Sequence, residues 1–380
     1  MTGLLFNRID EIEEKYIDFL SGVCNIESPT SYKEGVDEVG RYFAQKAKEK
    51  GWRVETHPIK NAGDVVVITM NPDVKNAPIC LSAHIDTVHP IGLFGNPAVK
   101  IDKENIYGPG VMDCKGGAVT AFMAMDALSH IGFTERPVML LLQTDEECGS
   151  SISNKETINY ICERSRDAVA FLNLEGFEGH AVLYRKGILR VKFTVHGKAG
   201  HSAKCYLYAN AVCEAAHKIV ELEKLKDEDG LTCNCGVIEG GTVANSVAEE
   251  CTFFADIRFS TSEELLKARE IINSLTEKVY VEGCTTEWSE LSFRPAMELS
   301  EKNTHLFNRM NEIFSEAGLS PLPLGTATGG SDAAYTTIAG IPTIDNLGTE
   351  GGYIHSVREY AKLSSICESA KRIAAIALKI

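Results

Sequence analysis

The chain has no surplus of positive charge: Lys and Arg total 38 against 53 Asp and Glu, a net charge of −15. A field of that sign repels phosphate backbones and anionic lipid surfaces, and no local basic run offsets it, so neither nucleic acid nor a membrane surface is an expected partner. Long apolar runs are also missing. The longest stretches, such as Val138–Leu142, fall far short of the roughly 18 residues needed to cross a bilayer. The opening MTGLLFNRIDEIEEKYIDFL is acidic and helical in spacing, without the cationic start and apolar centre of an export signal. The 12 cysteines lack the paired spacing of a disulfide framework; Cys80, Cys162, Cys213 and Cys367 lie in apolar segments, where a thiol behaves as a small hydrophobe. A reducing cytoplasm is the expected setting. Cys233 and Cys235 flank one residue of an expected strand, and no second pair follows to complete a metal site. With 32 Gly and 12 Pro among 380 residues and no internal repeat, collagen-like and low-complexity chains are excluded.

The length suits two or three domains. From Arg8 to about Lys186, strand-length apolar runs (Asp64–Met70, Pro78–Ala83, Pro137–Gln143, Ala168–Leu174) alternate with helical patterns such as Gly117–Ser129. Runs apolar throughout indicate a sheet covered by helices on both faces. At Gly187 the character changes. Leu189, Val191, Phe193 and Val195 alternate with polar residues, and so do Cys251, Phe253, Ala255, Ile257 and Phe259, which implies antiparallel strands with one solvated face. Helices near Asn210–Leu225 and Glu263–Val279 lie between and after them, the second opened by Thr261 and Glu264 as a capping box. The order reads β-α-β-β-α-β over residues 187–295. The buried pattern then resumes with a helix Asn303–Ala317, a strand around Pro342–Asn346 and a last helix Val357–Ile380, whose start Ser356 and Glu359 mark as a second capping box. The expected fold is α/β, a mixed sheet covered by helices, divided as 1–186 and 296–380 around an inserted α+β domain, 187–295.

Polar residues collect at the ends of the buried strands. His84 and Asp86 close one strand on the same face, at the carboxyl end where open α/β sheets bind ligands. Asp113 sits between two glycine-containing turns before a helix, Glu146 and Glu147 follow the strand Val138–Gln143, Glu175 ends another strand, and His355 lies in a Gly-rich loop. Taken singly, each has a plainer reading: a hydrogen-bonded strand-end His, an Asp at a helix start, solvated acids. Taken together they form one pattern in one domain. Two His and three carboxylates are a typical complement for two adjacent Zn²⁺ or similar divalent ions that share one carboxylate and hold a hydroxide between them. A remaining carboxylate can serve as a base.

The segments His84-Ile85-Asp86-Thr87-Val88-His89-Pro90, Gly108-Pro109-Gly110-Val111-Met112-Asp113-Cys114-Lys115-Gly116-Gly117 and Thr144-Asp145-Glu146-Glu147 resemble the motifs of the dinuclear zinc peptidases and deacylases. That family includes glutamate carboxypeptidase, aminoacylase, acetylornithine deacetylase and succinyl-diaminopimelate desuccinylase. The resemblance runs nearly end to end and implies an inserted lid or dimerisation domain. It implies two Zn²⁺ per chain, which Co²⁺ or Mn²⁺ can replace. His84 and Glu175 would hold one ion, Glu147 and His355 the other, with Asp113 bridging, Asp86 orienting His84 and Glu146 as general base. In the inserted domain, Gly197-Lys198-Ala199-Gly200-His201-Ser202-Ala203 is similar to the segment whose His contacts the scissile carbonyl, often across a dimer interface. By the same resemblance Asn245 contacts substrate, Arg258 binds its carboxylate, and Gly330 and Ser331 belong to a substrate loop. Without it, His201 reads as a surface His in a hairpin and Arg258 as the partner of a neighbouring acid. Cys114 stands where many relatives have Met; its side chain is expected to matter little. Glu175 matches the carboxypeptidase-like and deacetylase-like members.

The expected function is metal-dependent hydrolysis of an amide bond next to a free carboxylate, in a small peptide or an N-acyl amino acid. A di- or tripeptide aminopeptidase of the same family is the alternative. The expected assembly is a homodimer through the inserted domain.

Overall fold

The runs Val65–Met70, Ile79–His84 and Val138–Gln143 are strands buried at every residue. Their side chains divide by parity: Val66, Ile68, Leu81, Leu140 and Leu142 enter one apolar core, Val65, Val67, Cys80, Met139 and Leu141 another. With apolar layers on both faces, a strand has no polar side to present, which explains the unbroken runs. In the computed structural model, which describes residues 1–327 and 329–380, six strands form one sheet in the order Arg53–His57, Val65–Met70, Val138–Gln143, Ile79–His84, Ala170–Asn173, Thr343–Ile344. The last four are mutually parallel and the first two antiparallel, so the sheet is mixed. The helix Lys115–His130, buried from Lys115 to Leu128, and the helix Leu363–Lys379 lie in the larger core.

Two compact units are resolved: Met1–Leu183 with Leu299–Thr326 and Ser331–Ile380, and Tyr184–Glu298 with Ala327–Gly330. The second contains a four-stranded antiparallel sheet in the order Thr232–Gly240, Glu250–Phe259, Gly187–His196, Thr285–Arg294. Its helices Ala211–Leu222 and Ser262–Glu277 bury Ala211, Ala215, Ala268 and Ile272 against Leu189, Val191, Phe193, Phe253 and Ile257. The hydroxyl of Thr261 caps the second helix by accepting the N–H of Glu264, whose carboxylate accepts from Ser260 rather than from Thr261 itself.

One element differs from expectation. The last helix begins at Leu363, not Val357, because Tyr360–Lys362 pairs as a strand with Asn105–Tyr107. Ser356 and Glu359 therefore cap nothing: the Ser356 hydroxyl donates to the Tyr353 carbonyl, and Glu359 is buried elsewhere.

Candidate metal centre

Within the first unit, the parallel strands deliver their carboxyl ends to one edge of the sheet. His84 is the last residue of its strand, Glu175 follows Ala170–Asn173, Glu146 and Glu147 open a 3₁₀ turn after Val138–Gln143, and Asp113 precedes the helix Lys115–His130. His355 enters from a loop in which its backbone takes φ 60°, a left-handed conformation uncommon for a residue with a side chain.

The structure brings these residues together around Asp113. Its Oδ1 lies 3.0 Å from His84 Nε2 and its Oδ2 lies 3.2 Å from His355 Nε2. Glu147 Oε2 is 3.3 Å from His355 Nε2, and Glu175 Oε2 is 3.7 Å from His84 Nε2. One carboxylate thus faces two imidazoles, each flanked by a further carboxylate. The Nδ1 of His84 is held by the backbone carbonyl of Asp86 at 3.0 Å, with Asp86 Oδ1 at 3.4 Å, so Nδ1 carries a proton and Nε2 is turned toward the acids. Donor atoms of His84, Asp113 and Glu147 lie within 4.8 Å of one another, as do those of His84, Cys114 and Glu175.

Electrostatics point the same way. Burial, reinforced by the charges of Asp113 and Glu146, pushes Glu147 up to about 8; burial, with Glu146 and Asp113 adding, pushes Glu175 up to about 7. Hydrogen bonds donated by its ring to Asp113 and Glu147 raise His355 to about 10. Burial opposes ionisation of Asp113, but its bonds to His355 and His84 outweigh that and hold it well below the usual carboxylate range. So many acids in one buried place ionise together only if cations offset them. An oxygen-rich, imidazole-containing donor set with an already shared carboxylate fits two divalent ions.

Asp86 is fully buried and does more than orient His84. Its Oδ1 accepts the Glu146 N–H and its Oδ2 the Glu147 N–H, both at 3.2 Å, while Thr30 donates to Oδ2 at 2.7 Å. Cys114 is not incidental either: its sulfur receives the His84 N–H at 3.1 Å. His89, which stands in the first motif with no role assigned, and Glu359, read from the sequence as a helix cap, pair at 2.9 Å in the buried layer behind Asp113. Nothing in the chain order linked the two, since 270 residues separate them.

The other expected site residues divide. In the second unit, the short strands Gly200–His201 and Ser246–Val247 pair, and the Ser202 N–H donates to the Asn245 carbonyl, so the His201 and Asn245 segments are adjacent. His201 is exposed, and its Nδ1 accepts the Ala203 N–H at 3.1 Å, which puts the ring proton on Nε2. Arg258 lies at the opposite end of the sheet, bonded through Nε to Asp256 Oδ1 at 2.5 Å, beside Arg190 on the same carboxylate. A side chain at Gly330 would come within 2.5 Å of Arg294 Cδ. Ser331 is buried in the first unit, its hydroxyl oxygen accepting from Asn173 and from the Ala333 N–H. The short helix Ala333–Ile338 follows it.

A sequence profile described as peptidase family M20/M25/M40 matches residues 80–379. Carboxypeptidase G2 of Pseudomonas sp. (strain RS-16) is 26% identical over 371 residues, 96% of this chain and 89% of that protein. A succinyl-diaminopimelate desuccinylase of Nitrosospira multiformis is 25% identical over 366 residues, 89% of this chain and 91% of that protein. Among solved structures, aminopeptidase PepT of Bacillus cereus superposes with a TM-score of 0.79 at 21% identity, covering 97% of this chain and 98% of that one. The M20 family metallo-carboxypeptidase Sso-CP2 of Sulfolobus solfataricus gives 0.78 at 18% identity, over 96% and 98%. At such identities the structural likeness speaks to the fold alone.

Proposed function

The chain belongs to the peptidase family M20/M25/M40 and is a hydrolase, and from that premise we propose that it cleaves an amide bond next to a free carboxylate, as a carboxypeptidase or an N-acyl amino acid deacylase. The observation that carries the reading is Asp113, its two oxygens shared between His84 and His355 with Glu175 and Glu147 alongside. His84, Glu175, Glu147, His355 and Asp113 would hold two Zn²⁺, with Co²⁺ or Mn²⁺ able to substitute. Bound there, the ions supply Lewis acidity toward the carbonyl and lower the pKa of water.

The residues do the rest. A Glu146 carboxylate oxygen takes the proton of the attacking water and passes it to the leaving nitrogen, so that the C–N bond breaks as the acyl carbon gains the water oxygen. The His201 Nε2–H donates to the carbonyl oxygen as charge develops there. Arg258 pairs with the substrate carboxylate, its guanidinium aligned by Asp256, and Asn245, Gly330 and Ser331 contribute further contacts. These roles rest on the motif resemblance.

We place the chain in the cytoplasm, supported by 12 cysteines that are all free; no helix among the described residues is long and apolar enough to cross a membrane. We also propose a homodimer through the second unit. Its edge strand Thr232–Gly240 exposes Val237 and Ile238, an unpaired edge that is costly to leave open. Eight residues of one strand, about 26 Å, separate Arg258 from the end of the sheet where His201 and Asn245 lie. A small substrate spans no such distance, which favours Arg258 from one chain acting with His201 from another.

The test is a hydrolysis screen of dipeptides and N-acyl amino acids, each with free and blocked carboxylate, in Zn²⁺, Co²⁺ or Mn²⁺. Turnover confined to free carboxylates supports the proposal. Turnover that needs a free amino terminus and tolerates a blocked carboxylate would replace it with a di- or tripeptide aminopeptidase.

A further inference from the structure

Glu359 has the spacing of a helix cap but caps no helix; its carboxylate is buried and saturated. Oε1 accepts the N–H groups of Met112 and Asp113, both at 3.1 Å; Oε2 accepts the Gly110 N–H at 3.2 Å and His89 Nε2 at 2.9 Å. Its own carbonyl accepts the Gly108 N–H at 3.3 Å. Fully buried Lys115, which donates to the carbonyl of Ile26 at 2.8 Å, adds a cation whose charge reaches both Glu359 and Asp86.

These bonds join three stretches of chain. His89 lies three residues beyond Asp86, Gly110–Asp113 is the turn that presents Asp113, and Glu359 lies four residues beyond His355. Each stretch carries a residue of the candidate metal centre. A buried carboxylate that accepts four donors from three stretches of chain restrains all of them at once, because hydrogen bonds to a carboxylate in a buried place reinforce one another. A neutral residue capping a loop end has fewer acceptor sites and could not take all three amides and the His89 ring at once.

We propose that Glu359 is a positioning residue of the metal centre: by gripping the Met112 and Asp113 amides and His89, it fixes the Asp113 carboxylate midway between His84 and His355. The inference rests on the reading that this cluster holds divalent cations. Groups that orient metal ligands in this way are typically worth about 10- to 100-fold in metal affinity.

The experiment compares the full chain with Glu359→Gln and His89→Leu. Each is stripped with chelator and titrated with Co²⁺, binding being read from visible absorption and metal content, with amide hydrogen exchange measured on the metal-free proteins. Gln keeps the volume, but its NH₂ accepts nothing, so at least one backbone amide loses its partner. Binding by Glu359→Gln should weaken about 10- to 100-fold, with faster exchange confined to residues 108–114 and the strand Val65–Met70 unchanged. Affinity within twofold of wild type, or exchange raised evenly over the chain, would make Glu359 a fold residue only and overturn the proposal. If Glu359→Gln does not fold, His89→Leu decides: it withdraws a single donor and should weaken binding by roughly tenfold, and unchanged binding overturns the proposal. A wild-type chain that binds no Co²⁺ would instead end the reading of the centre itself, whereas wild-type binding matched by both variants ends only the role of Glu359.

Discussion

Glu146 and Glu147 are chemically identical neighbours, and their environments demand opposite outcomes when each is changed to Gln. They open a 3₁₀ turn, where successive side chains point about 120° apart, rather than an extended segment. Glu147 meets His355 at 3.3 Å. The charge of Glu146 acts on both Glu147 and Glu175, raising each. Neutralising Glu146 therefore removes a repulsion, so Glu147 and Glu175 should ionise more readily and cation content should be retained. The cost should fall on proton transfer: loss of a general base is worth about 10²–10⁴ in rate, or about 3–5 kcal/mol of barrier at 1.36 kcal/mol per decade. Glu147→Gln removes a proposed ligand and a partner that helps raise His355 to about 10, so one ion should be lost and the His355 pKa should fall. Initial rates on an N-acyl amino acid with a free carboxylate, metal content after dialysis, and the His355 titration by NMR in the metal-free chain separate the two. Glu146→Gln losing its metal while keeping substantial turnover, or two variants indistinguishable in metal and rate, would refute the assignment.

Three further outcomes are expected. In the metal-free chain Glu147 (about 8), Glu175 (about 7) and His355 (about 10) hold protons to higher pH than when unfolded. The folded state then binds the extra protons, and stability should fall as pH rises from about 5 to about 9; thermal melts in chelator should show this, saturating cation should abolish it, and a rising Tm would contradict it. Gly117→Ala would set a methyl 2.1 Å from the Leu174 carbonyl and 2.8 Å from its Cβ, so about 1–3 kcal/mol should be lost in urea denaturation, with weaker binding at the adjoining Glu175. Glu214→Ala leaves Lys218, its buried partner at 3.0 Å, without a counter-charge and the Tyr280 and Val281 N–H groups without their acceptor, which should cost about 3–5 kcal/mol; Glu214→Leu with Lys218→Met removes the charges but leaves those amides and the Leu275 and Lys278 carbonyls unpaired, so it should not restore wild-type stability in the same denaturation assay.

Some of this protein is legible in a linear reading because short-range rules govern it. Val65–Met70, Ile79–His84 and Val138–Gln143 are apolar at both parities, which only a doubly covered sheet requires, and the strand period puts His84 at a carboxyl end. The alternation at Leu189–Val195 likewise follows from one solvated face. Local rules misled where a tertiary partner competed. Ser356 and Glu359 have the spacing of a helix cap, but four donors buried behind Asp113 claim the Glu359 carboxylate, and Asn105–Tyr107 claims Tyr360–Lys362 as a strand.

Composition and pattern therefore determine the fold class and nominate the acids and imidazoles, since burial and periodicity are properties of neighbouring residues. What each group faces depends on separations the chain order does not express: His89 meets Glu359 across 270 residues, Asp86 holds the Glu146 amide across 60, and Asp113 divides its oxygens between His84 and His355. Hydrogen bonds and charges act over a few ångströms in space, so these contacts exist only once the sheet has brought its strand ends together.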